Sequence, residues 1–310
     1  MSGPRPLQFM LEYPILSEAD GGAWVDPENI AEFARVAEAS GLDGLAFTDH
    51  PAPSKKWLER GGHETFDPFV ALGYLAAATS RLRLMTFLAV VPYRNPFLTA
   101  KSMTAVDVLS GGRSTFVLGT GYLRSEFAAL GVDFDERNEL FDEAVDVMRG
   151  VWSTDDFHYQ GRHFTALGVT MKPGPVQKPH PPLWLGGNAA VVRERVAAWG
   201  QGWAPMLGGP ELVRTARTRA ISSDEDLGAL IRGIGDRMEE LGRDRHELDV
   251  STGSVDPPPE DASAEQKVDA IGRLREMGVT WTHYRVPRTS FGAALDGLRR
   301  FGEEVVAAFR

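Results

Sequence analysis

The feature that most constrains the fold of this chain is a rhythm. Strand-like and helix-like runs alternate from end to end, eight times, with no break in composition. Leu7–Tyr13, Asp43–Thr48, Arg81–Val91 and Arg113–Thr120 read as the first four strands, and Leu183–Gly186, Gly202–Met206, Leu248–Thr252 and Val279–Val286 as the last four. A helical pattern follows each: 27–40, Phe69–Thr79, Phe97–Leu109, Glu136–Trp152, Ala189–Trp199, Asp224–Leu241, 264–277 and Ala293–Phe309. Strand–helix alternation builds parallel sheets, because a crossover of helix length must return the chain to the same edge. Eight regular units predict an α/β fold, a single-domain (β/α)8 TIM barrel spanning 1–310. An open doubly wound sheet is the alternative, disfavoured by the absence of a clear crossover.

Local start and stop signals support these boundaries. Asp26-Pro27 and Asn95-Pro96 each supply a capping side chain followed by proline at the first helical position. Ser263 and Gln266 have the spacing of a capping box, and Ser110-Gly111-Gly112 offers the positive-φ turn that stops a helix. The rhythm breaks once, at 153–182, which predicts an insertion between the fourth helix and the fifth strand. Phe157–Phe164 reads there as a hairpin turning at Gln160-Gly161, followed by a loop held extended by Pro173, Pro175, Pro179, Pro181 and Pro182.

Composition excludes several function classes. A net charge of −10 disfavours nucleic acid and acidic membrane surfaces as partners. With no cysteine there is no disulfide, thiolate nucleophile or Cys-ligated metal. No His-Glu-x-x-His, His-x-His or Gly-x-Ser-x-Gly is present, and none of the six lysines lies at the C-terminal end of a predicted strand. No metal site is expected. The apolar runs are too short for a membrane span and the start lacks a signal-peptide core, so the expected location is cytoplasmic.

In barrels the chemistry sits at the C-terminal strand ends. Strand two ends in Thr48-Asp49-His50, where an Asp–His pair could orient an imidazole and pass a proton; equally, Asp49 could cap the loop and His50 lie on the rim. Strand three ends in Leu88-Ala89-Val90-Val91, which suits either plain core or a wall against a ring system. Gly119 and Gly121 leave the end of strand four bare, open to close approach by a flat ligand. Arg124 stands where a dinucleotide fingerprint would need its third glycine. Gly186-Gly187-Asn188 precedes a helix and presents backbone N–H groups suited to phosphate, or forms an ordinary turn capped by Asn188. His283 and Arg285 on strand eight are candidates to meet an anionic substrate, although His283 could simply be packed. The basic run Lys55, Lys56 and Arg60 reads as a solvated loop face.

A barrel with no redox or nucleophilic group of its own borrows reactivity from a cofactor. Thr48-Asp49-His50, Pro92-Tyr93-Arg94-Asn95-Pro96, Leu109-Ser110-Gly111-Gly112-Arg113, Gly119-Thr120-Gly121-Tyr122 and Gln177-Lys178-Pro179…Pro182-Leu183-Trp184-Leu185-Gly186-Gly187 occur in one order along the chain. This set resembles the luciferase-like monooxygenase superfamily, in particular its branch dependent on the deazaflavin coenzyme F420. The resemblance implies a TIM barrel with the insertion, and a flavin-type ring at the barrel mouth. It also implies a non-prolyl cis peptide near Leu88-Ala89. It places Asp49 and His50, with Leu88, Ala89, Val91, Gly119 and Gly121, beside the ring, and Gly186, Gly187 and Asn188 on the cofactor phosphate. The implied activity is hydride transfer between F420 and a small organic substrate, in a homodimer. The alternatives are an FMN monooxygenase served by a separate flavin reductase, and a non-catalytic flavin- or deazaflavin-binding protein. One departure stands out: Tyr122 occupies the place where sugar-phosphate dehydrogenases of the family carry a proton-handling glutamate. His50, Asp49 and Tyr122 are the catalytic candidates.

Overall fold

A computed structural model describes residues 5–208, 213, 214, 216, 218–259 and 261–310. Its strands are β1 (Gln8–Glu12), β2 (Gly44–Phe47), β3 (Arg83–Val90), β4 (Ser114–Gly119), β5 (Phe157–Gln160), β6 (Thr165–Val169), β7 (Leu183–Gly186), β8 (Gly202–Ala204), β9 (Asp249–Val250) and β10 (Trp281–Tyr284). The helices described here are α1 (Pro27–Ala39), α2 (Lys55–Leu58), α3 (Pro68–Ala78), α4 (Pro96–Leu109), α5 (Arg124–Ala129), α6 (Arg137–Ser153), α7 (Ala190–Ala198), α8 (Asp224–Glu240), α9 (Ala264–Glu276) and α10 (Phe291–Glu304).

Eight strands form one sheet in the order β10-β1-β2-β3-β4-β7-β8-β9. A parallel bridge from Ser251, just beyond β9, to Trp281 of β10 joins the two ends of that order. An open doubly wound sheet keeps two free edges; this sheet has its ends bridged, as a (β/α)8 barrel requires. All residues of β2, β4 and β8 are buried, as expected of parallel strands covered on both faces.

The chain divides into two compact units, one made of Phe47–Ser80 and Leu84–Pro182 and the other carrying β1, α1 and the elements from β7 onward. In the first, Val90, Tyr93, Phe127 and Phe134 form a buried cluster with Leu88 and Val132 against it. In the second, Trp24 meets Phe291 and Phe33 meets Tyr13 edge to face, at 5.4 and 4.9 Å between ring centroids.

One start device recurs. Asp26, Asp67 and Asn95 each cap a helix whose first residue is proline, accepting the N–H two residues on. Ser263 and Gln266 close the expected capping box on α9. Two short helices, α2 and α5, escape the sequence because one or two turns are too few to show a period. The seventh predicted strand shrinks to Asp249–Val250, since only two of its residues pair in register with β8.

The insertion is an antiparallel hairpin, β5 on β6, with Gln160 opposite Thr165. Its connection is therefore 161–164 rather than a tight turn at Gln160-Gly161. Glu143 on α6 accepts from the N–H groups of His163 and Phe164 at 2.9 Å and ties that connection down. The proline loop returns through Asp107 on α4. That carboxylate is fully buried and accepts from Val176 N (2.7 Å), Gln177 N (3.0 Å), Gln177 Nε2 (2.7 Å) and Ser114 Oγ (2.8 Å). Among the described residues, no helix is long and apolar enough to cross a membrane.

Candidate active site

Asp49 and His50 follow the buried strand β2, and the structure separates them. Asp49 is 1% exposed at its side chain and takes both nitrogens of Arg94, Nη1 at 2.5 Å and Nη2 at 3.0 Å. Its Oδ2 also accepts the Val90 N–H at 2.9 Å, fastening the end of β3. Arg94 reaches on to Asp67, the cap of α3, at 3.0 Å. Among the described residues no hydrogen bond joins Asp49 to His50, because the Asp49 carboxylate is taken up by Arg94 and Val90.

The partner of His50 is Glu126. His50 Nδ1 lies 3.1 Å from Glu126 Oε2, with side-chain exposures of 9% and 0%. The same Oε2 accepts the Tyr93 hydroxyl at 2.8 Å, and Oε1 accepts the Ala52 N–H at 3.2 Å. Burial, followed by the Glu126 hydrogen bond and charge, raises the Tyr93 hydroxyl far above its usual range, so it remains a proton donor. Among the described residues no group bonds Nε2 of His50, and that atom is not among the orphaned buried nitrogens, so it is open. Three rings stand around the imidazole: Trp57 at 4.5 Å between centroids, His63 edge-on at 5.0 Å and Tyr122 edge-on at 5.9 Å. His63 is itself anchored, its Nε2 lying 3.1 Å from Thr48 Oγ1.

Glu126 is the residue that the sequence reading misses. It sits on α5 four residues beyond Tyr122, buried together with Leu123 and Phe127. A carboxylate on the apolar face of a short turn is the signal that would have found it. Tyr122 does stand after the β4 glycines, its ring steeply inclined to that of His50.

At the end of β3 the cis peptide lies at Phe87–Leu88, one residue ahead of the expected bond. It falls in a bulge, where 86–89 of β3 oppose 116–118 of β4. Ala89 and Val91 are buried at 1%, while Leu88 keeps surface and packs beside the Val90–Phe127 cluster. The bare strand end expected at Gly119 and Gly121 is filled from within the chain. A Cβ on Gly119 would come within 2.4 Å of Leu88 Cδ1, and one on Gly121 within 2.7 Å of Val90 and 2.9 Å of Phe127. Gly121 also has φ +76°, which side chains rarely adopt.

In the other unit, Gly187 has φ +112° and its N–H already donates to Ala204 O at 3.0 Å. Asn188 is fully buried and caps nothing. Its Nδ2 donates to Met206 O and Arg219 O, and its Oδ1 accepts Met206 N, so its side chain braces a loop instead of facing a phosphate. The cap of α7 is Ala189, which supplies no side-chain hydrogen bond.

Arg285 is exposed. His283 Nε2 lies 2.9 Å from the buried Ser251 Oγ, and burial, with the Arg285 charge second, lowers its pKa to about 4. Between about 4 and the usual 6.5 the unfolded chain binds a proton that the folded chain refuses. His283 therefore costs nothing above that window and destabilises the fold as pH falls through it, by on the order of 1–3 kcal/mol at the acid end. We expect His283→Gln to flatten the acid limb of a stability-versus-pH curve from urea melts; an unchanged limb would show that the ring is protonated in the fold.

Known proteins resemble the chain at low to moderate identity. It is 32% identical over 208 residues to an FMNH2-dependent dimethylsulfone monooxygenase of Pseudomonas putida, covering 63% of this chain and 55% of that one. It is 27% identical over 223 residues to an F420-dependent glucose-6-phosphate dehydrogenase of Gordonia bronchialis, covering 67% of this chain and 63% of the relative. The chain thus spans under two thirds of either relative. Among solved structures, the monooxygenase RslO1 of Streptomyces bottropensis superposes with a TM-score of 0.80 at 20% identity, over 98% of this chain and all of that one, a likeness of fold. The family model for luciferase-like monooxygenases matches residues 11–252. The chain belongs to the luciferase-like monooxygenase family, a family of oxidoreductases.

Proposed function

We propose that the chain is an F420-dependent oxidoreductase that moves a hydride between the deazaflavin and a small organic substrate, as a homodimer in the cytoplasm. The observation that carries this reading is His50. One ring nitrogen is tied to a buried carboxylate, the other is open, and flat side chains surround it. An imidazole held this way can take or give a proton at a fixed place.

The residues present fit a flavin-type group on two separate counts. Leu88 offers an apolar surface at the bulged end of β3, backed by the buried Ala89 and Val91. The nine-residue helix α7 begins without a side-chain cap, after Gly186 and Gly187, which suits a phosphate. In this reading Leu88 supports the ring. Asp49, Gly119 and Gly121 shape the ring's surroundings from behind, through Arg94, Val90 and Leu88. Bound F420 would supply or accept the hydride. The chain positions the substrate, limits water, and holds a proton at His50 Nε2, while Tyr122 narrows the approach.

FMN with oxygen is the second reading, favoured by the relative named as FMNH2-dependent; a flavin reductase would then be a partner. Against it stands the size of the insertion, one hairpin and a proline loop. Titration of the apoprotein with each cofactor separates the two. We expect saturable F420 binding, and a solution mass of twice the 33.9 kDa chain. Tight FMN binding with oxygen uptake on reduced FMN would replace the F420 reading.

A further inference from the structure

Among the described residues, every hydrogen-bonding partner of Glu126 is a donor or an imidazole nitrogen able to be one. Oε1 faces the Ala52 N–H, which cannot turn away. Oε2 faces the Tyr93 hydroxyl and His50 Nδ1. The carboxylate is 0% exposed, so water does not complete its hydrogen bonding. A proton on Oε1 would point at an N–H, and one on Oε2 is received by Nδ1, because the buried Tyr93 hydroxyl already donates to Oε2 and would have to give up that bond to accept. In either protonation state of the pair, one proton therefore lies between Oε2 and Nδ1. An imidazole nitrogen holds it more firmly than a carboxylate does.

We infer that Glu126 is a positioning residue, which with Tyr93 and Ala52 N–H fixes His50 as the Nδ1–H tautomer and leaves Nε2 as the nitrogen that exchanges protons. Neutral histidine in water favours the opposite form, Nε2–H, so the fold inverts the intrinsic preference. The tautomer at one nitrogen follows from the hydrogen bond at the other. Donors and acceptors at the open edge of His50 are thereby exchanged: the neutral ring presents a lone pair to whatever lies there, and a donor only once it is protonated. This inference rests on the reading of His50 as the proton-handling group.

Glu126→Gln tests it through geometry. The amide oxygen must stay on the Ala52 N–H, because a backbone donor cannot rotate. The amide NH2 then takes the place of Oε2 and faces Nδ1, which must now accept. The Tyr93 hydroxyl can turn to accept as well. The substitution is expected to switch His50 to Nε2–H. Tyr93→Phe removes one donor and is expected to leave Nδ1–H in place.

The measurement is a long-range ¹H–¹⁵N correlation of histidine-labelled apoprotein at mildly alkaline pH. Seven histidines give seven ring signatures, and the one absent from His50→Asn is that of His50. Wild type as Nδ1–H, Glu126→Gln as Nε2–H and Tyr93→Phe as wild type is the expected result. An Nε2–H wild type overturns the inference, and so does a Glu126→Gln protein that stays Nδ1–H. If Glu126→Gln fails to fold, the wild-type and Tyr93→Phe spectra decide it. Turnover gives a second readout: Glu126→Gln is expected to lose at least about tenfold in kcat while cofactor affinity stays within about twofold. The tautomer is read without cofactor, so failure to bind F420 or FMN would sink the functional reading and leave this assignment standing.

Discussion

His50→Asn is expected to fold, to bind cofactor within a few-fold of wild type, and to lose about 10²–10⁴ in kcat, the usual worth of a positioned proton-transfer group. Asparagine is the informative replacement. Its side-chain amide can stand where Nδ1 stands and still donate to Glu126 Oε2, now 3.1 Å from that nitrogen. What it lacks is Nε2. Glu126 then keeps the Tyr93 and Ala52 donors and gains one from the introduced amide, so no buried carboxylate is stranded. His50→Ala removes both nitrogens and opens a cavity beside Trp57, whose ring centre lies 4.5 Å away, so it mixes structural and chemical loss. The rate is read from the cofactor's visible absorbance on the first substrate in a panel of small organic donors and acceptors to support turnover. A His50→Asn enzyme within threefold of wild type would remove His50 from the chemistry and send the search to His63 and Tyr122, the other polar rings of the cluster.

How much of this could be read from the chain depends on the range of the interaction. Helix starts were legible because Asp26-Pro27 and Asn95-Pro96 act within three residues, and the buried strands because their apolar runs are continuous. The motifs between Pro92 and Phe127 take their meaning from contacts across sequence. Tyr93 serves Glu126, Arg94 serves Asp49, and Asn95 with Pro96 opens α4. Gly119 and Gly121 looked like room for a ligand; the room is taken by Leu88, Val90 and Phe127, 6 to 31 residues away in sequence. Asp49 and His50 read as a pair because they are adjacent, while the partners that claim them, Arg94, Val90 and Glu126, lie 41 to 76 residues away in sequence. The resemblance points to position 122 for a carboxylate; the buried carboxylate beside His50 is Glu126, four residues on, in a helix too short to show a period.

The largest loss of stability is expected from Asp49→Ala. Asp49 is an anchor for two elements: it holds the Val90 N–H at 2.9 Å and both terminal nitrogens of Arg94. Truncation leaves a buried backbone N–H without an acceptor, at about 1–3 kcal/mol. It also leaves the Arg94 guanidinium, 21% exposed, with Asp67 as its remaining ion-pair partner among the described residues and the Phe69 ring beneath it, and that carboxylate is 43% exposed. Removing one member of a buried, bidentate pair costs about 3–5 kcal/mol, more than the pair contributes, because the surviving charge stays desolvated. Added in full the two losses would count Asp49 twice, so about 3–5 kcal/mol is the expectation, a drop in Tm on the order of 10 °C. Asp49→Asn separates the parts. Its carbonyl can keep the Val90 N–H, while its NH2 confronts an Arg94 donor, so the charge pairing is lost and the strand contact survives. An Asn variant as unstable as Ala would make the ion pair the anchor. An Asn variant close to wild type would make the Val90 hydrogen bond the anchor. An Ala variant within about 1 kcal/mol of wild type would show that Arg94 reaches solvent unaided, and that the end of β3 is held by the packing of Val90 against Tyr93 and Phe127 alone.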